Sequence, residues 1–240
     1  MKATPSQQLA ILKVAKLDQR VVSLNHKAST LSELAELTNT TVKFNNARDF
    51  RIAAETELKD VKRELARAEG DVEQIVSRIT RDEARLIGGT IAAKDLEKLQ
   101  HEVGTLGIRR TELEEIELEI MMRVDEVNER IIDLQKQEIE LKLIIDDLEI
   151  RKENAMASIN NELEVIAEDR NLTVQALEKT LVDLYDRIRK DGVGAAALVG
   201  ATCLGCNLSI NRVELKRISE LAEDEVVRCE ECRCILVRGA

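Results

Sequence analysis

Ile87-Gly88-Gly89-Thr90 interrupts a sequence whose remaining apolar spacing, on either side, is that of long helices. Paired glycines weaken a helix and admit the positive φ of a helix end. The chain is therefore expected to reverse direction at residues 87–92. Upstream, Leu17, Val21, Leu24, Ala28, Leu31 and Ala35 alternate by four and three, which is the a/d seam of a heptad. A second run, Leu58, Val61, Leu65, Ala68, Val72, Ile75, Ile79 and Leu86, resumes two residues out of register, so a local change of supercoil is expected near Val42 to Phe44. Downstream, thirteen of sixteen consecutive a/d positions between Leu96 and Leu148 are apolar, the exceptions being Arg110, Glu117 and Glu138. The seam continues through Ile159, Leu163, Ile166, Leu177, Leu181, Leu184 and Ile188, and Asp191-Gly192-Val193-Gly194 ends it.

Two arms of about 80 and 95 residues around a glycine turn are what an antiparallel helical hairpin requires, each arm on the order of 120 Å at ~1.5 Å per residue. A parallel dimer of uninterrupted helices competes with this arrangement, and Gly88-Gly89 disfavours it. Thr4-Pro5-Ser6-Gln7 reads as the start of the first arm, with Thr4 as N-cap, Pro5 at the first helical position and Gln7 closing a capping box. A hairpin brings the C-terminal residues back to the N-terminus of the chain.

Composition supports a helical seam over a large globular core. In 240 residues, aromatics are 1%, charged residues 34% and prolines one, with a net charge of −10. Acidity opposes non-specific attraction to phosphate backbones and anionic lipid. The apolar run from Val193 to Ala201 is about half the ~20 residues that span a bilayer, so no membrane segment is expected.

Beyond the second arm stand Cys203-Leu204-Gly205-Cys206 and Cys229-Glu230-Glu231-Cys232. Each Cys-x-x-Cys turn aims two thiolates at one ion, and two such turns complete a tetrahedron of sulfurs at ~2.3 Å from zinc. The 22 residues between the pairs slightly exceed the usual gap of about 15 to 20, so an insertion is expected there. Asn211-Arg212-Val213-Glu214 supplies it as a short helix capped by Asn211, while Val226-Val227 and Ile235-Leu236-Val237 are β-rich. Disulfides are disfavoured because Met1-Lys2-Ala3-Thr4 opens no apolar signal segment, which implies a reducing cytoplasm. A redox pair is disfavoured because no βαβ pattern surrounds either motif. Cys234 is left over, as a spare thiol or as an alternative ligand to Cys232. His26 and His101 fall on the outer helix face, without a companion ligand.

The expected architecture is thus mostly α: an antiparallel two-helix coiled-coil hairpin over 1–191, then a small C4 zinc ribbon over 196–240, made of β-hairpin knuckles with an inserted helix. Around the ribbon, Arg212, Lys216 and Arg217 form a basic cluster on the inserted helix, a possible contact for nucleic acid or a partner. Residues 196–240 as a whole carry six basic against seven acidic side chains and no aromatic residue that could stack on a base.

Asp95-Leu96-Glu97-Lys98-Leu99-Gln100-His101-Glu102-Val103, Glu112-Leu113-Glu114, Leu118-Glu119-Ile120-Met121-Met122 and the two cysteine knuckles followed by Ile235-Leu236 carry a family resemblance. The sequence resembles the bacterial helical-hairpin proteins with a C-terminal C4-type zinc ribbon, including their mycobacterial branch. The resemblance covers nearly the whole chain and implies the same fold and one structural zinc on Cys203, Cys206, Cys229 and Cys232. Relatives usually carry Cys-Gly-Arg-Ile-Leu at the last knuckle, where this chain has Arg233 and Cys234 in place of Gly and Arg. Epsilonproteobacterial and chlamydial relatives act as adaptors or chaperone-like regulators of an alternative sigma factor and of flagellar or type III secretion components, and RNA binding has been proposed. Those partners do not transfer to an actinobacterial-looking chain. The expected function is a non-enzymatic cytoplasmic adaptor, monomeric or weakly self-associating, with a protein partner. A nucleic-acid-binding regulator and a self-associating structural spacer are the alternatives, and no glycine-rich phosphate loop or nucleophile with an adjacent histidine argues for an enzyme.

Overall fold

The computed structural model describes residues 1–89 and 92–239. Its helices are α1 (Pro5–Ser29), α2 (Ser32–Ile87), α3 (Ala93–Gln175), α4 (Lys179–Arg189) and α5 (Arg212–Glu220), and its strands are β1 (Ala195–Val199), β2 (Thr202–Cys203), β3 (Val227–Arg228) and β4 (Ile235–Val237). Packing divides the chain into two units, residues 35–149, and residues 1–34 together with 150–240.

In the first of these units α2 and α3 run antiparallel. Ion pairs join Arg51 to Glu138 (2.6 Å), Arg123 to Glu64 (2.9 Å), Arg130 to Glu57 and Arg78 to Glu102, so numbers rise on one helix as they fall on the other. The expected seam is the buried one: Val61 and Ala68 of α2 and Leu99, Leu106, Leu113, Val127, Ile131, Ile145 and Leu148 of the return helix are all inaccessible. Ala54, Val127 and Ile131 pack as one cluster with Leu58 and Leu134 at its edge. The polar interruption at Glu138 is compensated, since Arg51 donates to it while also holding Glu55 (2.7 Å). A charged pair inside a mostly apolar seam fixes which turns of the helices face each other. At the turn Gly89 has φ +68°, and Thr90 and Ile91 lie outside the described residues. Helix α2 passes through Val42 to Phe44 without a break.

The other unit begins with the expected capping box: the Thr4 hydroxyl accepts from the Gln7 backbone N–H, and Gln7 Oε1 accepts from the Thr4 N–H. Here the backbone departs from two continuous arms. Helix α1 stops at Ser29, where the Ser29 and Thr30 hydroxyls both donate to the His26 carbonyl, offering that acceptor an alternative to the helix ladder. The return arm likewise breaks between Gln175 and Lys179. That break lets the short α4 settle beside α1 and the sheet. Ile11, Leu12 and Val14 of α1 and Leu181, Tyr185 and Ile188 of α4 form one core with Ala195, Ala197, Ile235 and Val237.

The sheet has strand order β2-β1-β4-β3, with β1 and β4 parallel and the two outer pairs antiparallel. Successive strand residues point to opposite faces. Ala195, Ala197, Ile235 and Val237 accordingly meet the helices, while Ala196 and Leu236 meet Ile218 of α5, Val227 and the cysteines. Both faces are covered, which is why β4 is a continuous apolar run instead of an alternating one.

Candidate metal centre

The first cysteine pair is shaped by a backbone loop. Cys203 ends β2, its N–H donates to the Leu208 carbonyl (3.1 Å), and the Asn207 N–H donates back to the Cys203 carbonyl (2.8 Å). Asn207 takes φ +60°, a left-handed conformation that asparagine tolerates through local hydrogen bonding. Within the loop Gly205 allows close approach: a Cβ there would lie 3.1 Å from the Ala196 Cβ and 3.2 Å from the Cys234 Sγ. The second pair repeats the design between β3 and β4. The Cys229 N–H donates to the Cys234 carbonyl and the Arg233 N–H to the Cys229 carbonyl, both at 3.0 Å. Arg233, at φ +63°, occupies the left-handed position that a glycine would take at no steric cost, so the arginine there leaves the loop closed but strained.

Cys203, Cys206, Cys229 and Cys232 converge, their sulfurs all within 4.8 Å of one another. Cys203 and Cys232 stand 3.8 Å apart and Cys206 and Cys229 4.0 Å apart, close to the ~3.8 Å edge of a tetrahedron with 2.3 Å metal–sulfur bonds. Cys234 is fully buried with its sulfur 3.6 Å from that of Cys203, against the site but outside the mutually close set. Burial opposes ionisation of Cys203, yet N–H groups of Cys206 and Gly205 donate to its sulfur and outweigh that cost, bringing the thiol down to about 7. Burial pushes Cys229 up to about 12 and Cys234 higher still, so Cys203 gives up its proton more readily than either. Four sulfurs at this spacing and no oxygen donor suit zinc, which when bound would cross-link the two knuckles.

Family comparison agrees with this geometry. Residues 14–193 match the CT398-like coiled coil hairpin domain, and residues 202–236 match a C4-type zinc ribbon domain. The chain belongs to the CT398-like coiled-coil hairpin family. An uncharacterized protein of Mycobacterium tuberculosis is 33% identical over 99% of this chain and 98% of its own length. A Mycobacterium leprae protein is 27% identical over 92% of this chain and 96% of its own. Among solved structures, one from Mycobacterium smegmatis superposes with a TM-score of 0.86 at 30% identity, covering 99% of this chain and 100% of that one. CT398 from Chlamydia trachomatis superposes at 0.68 and 18% identity, over 97% and 98% of the two chains. The cofactor of this family member is one structural zinc.

The expected basic cluster is less available than its sequence suggested. Arg217 donates to the buried carboxylate of Glu214 (2.7 Å), which holds Glu214 below the usual carboxylate range, and Lys216 faces Glu220 at 3.9 Å. Arg212 is exposed at the start of α5.

Three features around the centre escaped the sequence reading. Arg238 donates to the carbonyls of Ile218, Leu221, Ala222, Glu223 and Glu225, closing the C-terminal end of α5 and the loop after it onto β4. Buried Gln8 donates to the Ala3 and Glu223 carbonyls, and Ala3 and Val226 exchange backbone bonds with Asp224 and Met1, so residues 1–3 are laced to that loop. Asp18, 4% exposed, accepts from Arg170 (2.7 Å) and the Tyr185 hydroxyl (2.8 Å) and pairs with Arg189 (2.9 Å). Burial and the Asp18 bond keep that phenol protonated, and Gly194 packs so closely on the ring that a Cβ would fall 2.2 Å from a ring carbon. No periodicity encodes such partners, and Asp18 lies more than 150 residues from each of its three.

Proposed function

We propose that the protein is a non-enzymatic cytoplasmic adaptor whose zinc holds the ribbon folded while the groove between α1 and β1 receives a protein partner. The observation that carries this reading is the four-sulfur site: four thiolates saturate zinc, leaving no position for a reactive water, so the metal is structural. The groove, of about 680 Å³, is floored by Leu12 and Ala195 to Ala197 and rimmed by Val22, Val193, Val199 and Leu204, each of these four 45% exposed or more. Lys16 lies at its edge. Apolar floor, exposed aliphatic rim and a cation suit a protein segment carrying apolar and acidic side chains. Nucleic acid is the weaker occupant, because Arg217 is engaged by the buried Glu214 carboxylate of its own helix and no aromatic residue of 196–240 could stack on a base.

The test uses the intact zinc-loaded chain as bait in native cytoplasm, beside Val22→Asp and Leu204→Asp, whose side chains are exposed. A protein captured by the parent and lost from both variants, at unchanged zinc content and helix signal, supports the groove. Capture that survives both substitutions, or retardation of RNA at ~150 mM salt without any protein partner, overturns it.

A further inference from the structure

Helix α3 carries a second heptad that its partner α2 does not use. Leu118, Met122, Asp125, Glu129, Ile132, Lys136, Ile139 and Leu143 follow one another at alternating steps of four and three, and every one of them is exposed. The five apolar members stand 59%, 72%, 49%, 63% and 65% open. Each lies five residues beyond a position of the α2-facing seam, which at 3.6 residues per turn places it about 140° around the helix, on the outer face. Any stripe at a fixed offset from a heptad keeps its spacing, so what marks this one is its content: a solvated face has no need of five large exposed aliphatic side chains, and such a run in a/d spacing is the pattern by which one helix recognises another.

The charges within this outer seam select the occupant. In a parallel pairing of two copies like positions meet, so Asp125 would face Asp125, Glu129 would face Glu129 and Lys136 would face Lys136. In an antiparallel pairing a meets d, and one register sets Leu118 on Leu143, Met122 on Ile139 and Asp125 on Lys136, with Glu129 over Ile132. A two-fold axis then repeats every layer, so eight layers form along ~38 Å of helix and both Asp–Lys pairs are of opposite sign. Shifting the register by one heptad either way replaces the Asp125–Lys136 layer by Asp125 on Glu129 or Asp125 on Leu143. Lys136 is available for this contact, since its ion pair with Asp133 of its own helix is long (3.3 Å) and two-thirds exposed on both sides.

We propose that the outer face of α3 between Leu118 and Leu143 is a self-association surface on which a second copy of this chain docks antiparallel, Asp125 of one copy against Lys136 of the other. The two Glu129–Ile132 layers weaken the contact, making the dimer concentration-dependent and reversible. This surface lies on residues distinct from those of the groove between α1 and β1.

Sedimentation equilibrium of the full zinc-loaded chain across the micromolar range tests it. The expected result is a mass that rises from that of one chain towards that of two. Ile139→Glu weakens the association about 10-fold or more. Asp125→Lys, which sets lysine against Lys136, weakens it comparably, and Asp125→Lys with Lys136→Asp restores it. All these positions are exposed, so circular dichroism of each variant should match the parent. A parent mass independent of concentration, an association indifferent to Ile139→Glu, or a double exchange no better than the single one overturns the proposal.

Discussion

Arg233 holds a backbone position that favours glycine. Its backbone sits at φ +63°, where a Cβ is crowded by the neighbouring carbonyl, yet its N–H and carbonyl are both used, the latter by Arg228 Nε at 3.0 Å. The side chain itself is exposed. Arg233→Gly keeps both backbone bonds and removes the crowding, and should stabilise the zinc-loaded ribbon by about 1 kcal/mol, read as a higher denaturant midpoint. A lower midpoint would mean that the arginine side chain contributes a contact that outweighs its strain. The residue change was legible in the sequence. Its outcome was not, because whether a position needs positive φ depends on which carbonyl its N–H reaches.

Among the elements, the two helices of the seam and the four cysteines were legible because each is a local regularity: a repeat of three and four, or a gap of two. Strand β1 was not. Ala195, Ala196 and Ala197 are poor strand formers, and they are extended because β4 pairs with them in parallel from 40 residues away. The breaks after Ser29 and Gln175 were hidden too, since the apolar spacing runs on through both; the first rests on two hydroxyls turning to the His26 carbonyl and the second on the packing of α4 against α1 and the sheet. Because the sulfurs sit behind β1 and β4, the metal braces the sheet on which α1 and α4 rest. Chelation, or Cys203→Ser, should therefore remove hydrogen-exchange protection from residues 195–237 and from α1, and leave α2 and α3 protected between residues 54 and 131, where their own seam is buried. Loss confined to the two knuckles would contradict that coupling.

For the molecule as a whole, the N-terminal residues behave as a latch on the ribbon. Lys2 meets Asp224 at 2.8 Å, and their hydrogen bond holds the Asp224 carboxyl below its ordinary value of 3.8 and lifts the Lys2 ammonium above 10.5. A lowered carboxylate contributes above its ordinary range and loses that contribution as pH falls through the depressed value. A raised ammonium contributes below its ordinary range and loses it as pH climbs through the raised one. The latch should hold between about pH 4 and 10 and loosen at either end. In Lys2→Met, the Ala3 amide, which donates to the Asp224 carbonyl at 2.7 Å, should be less protected than in the parent near neutral pH, and the two should converge as acid titrates Asp224. Both side chains are exposed, so added salt should narrow the difference. Identical acid profiles would show that the backbone bonds alone hold the strand.

The same lacing has a bearing on synthesis. Ile11, Leu12 and Val14 emerge from the ribosome more than 200 residues before the aliphatic side chains that cover them, Ile235 and Val237. At about 5 to 20 residues per second, a nascent chain carries that sticky face uncovered for on the order of tens of seconds. Until Ile235 and Val237 have been made, residues 35–149 can zip into their hairpin while α1 stays without its cover, and synthesis of β4 is the event that lets the two close on each other.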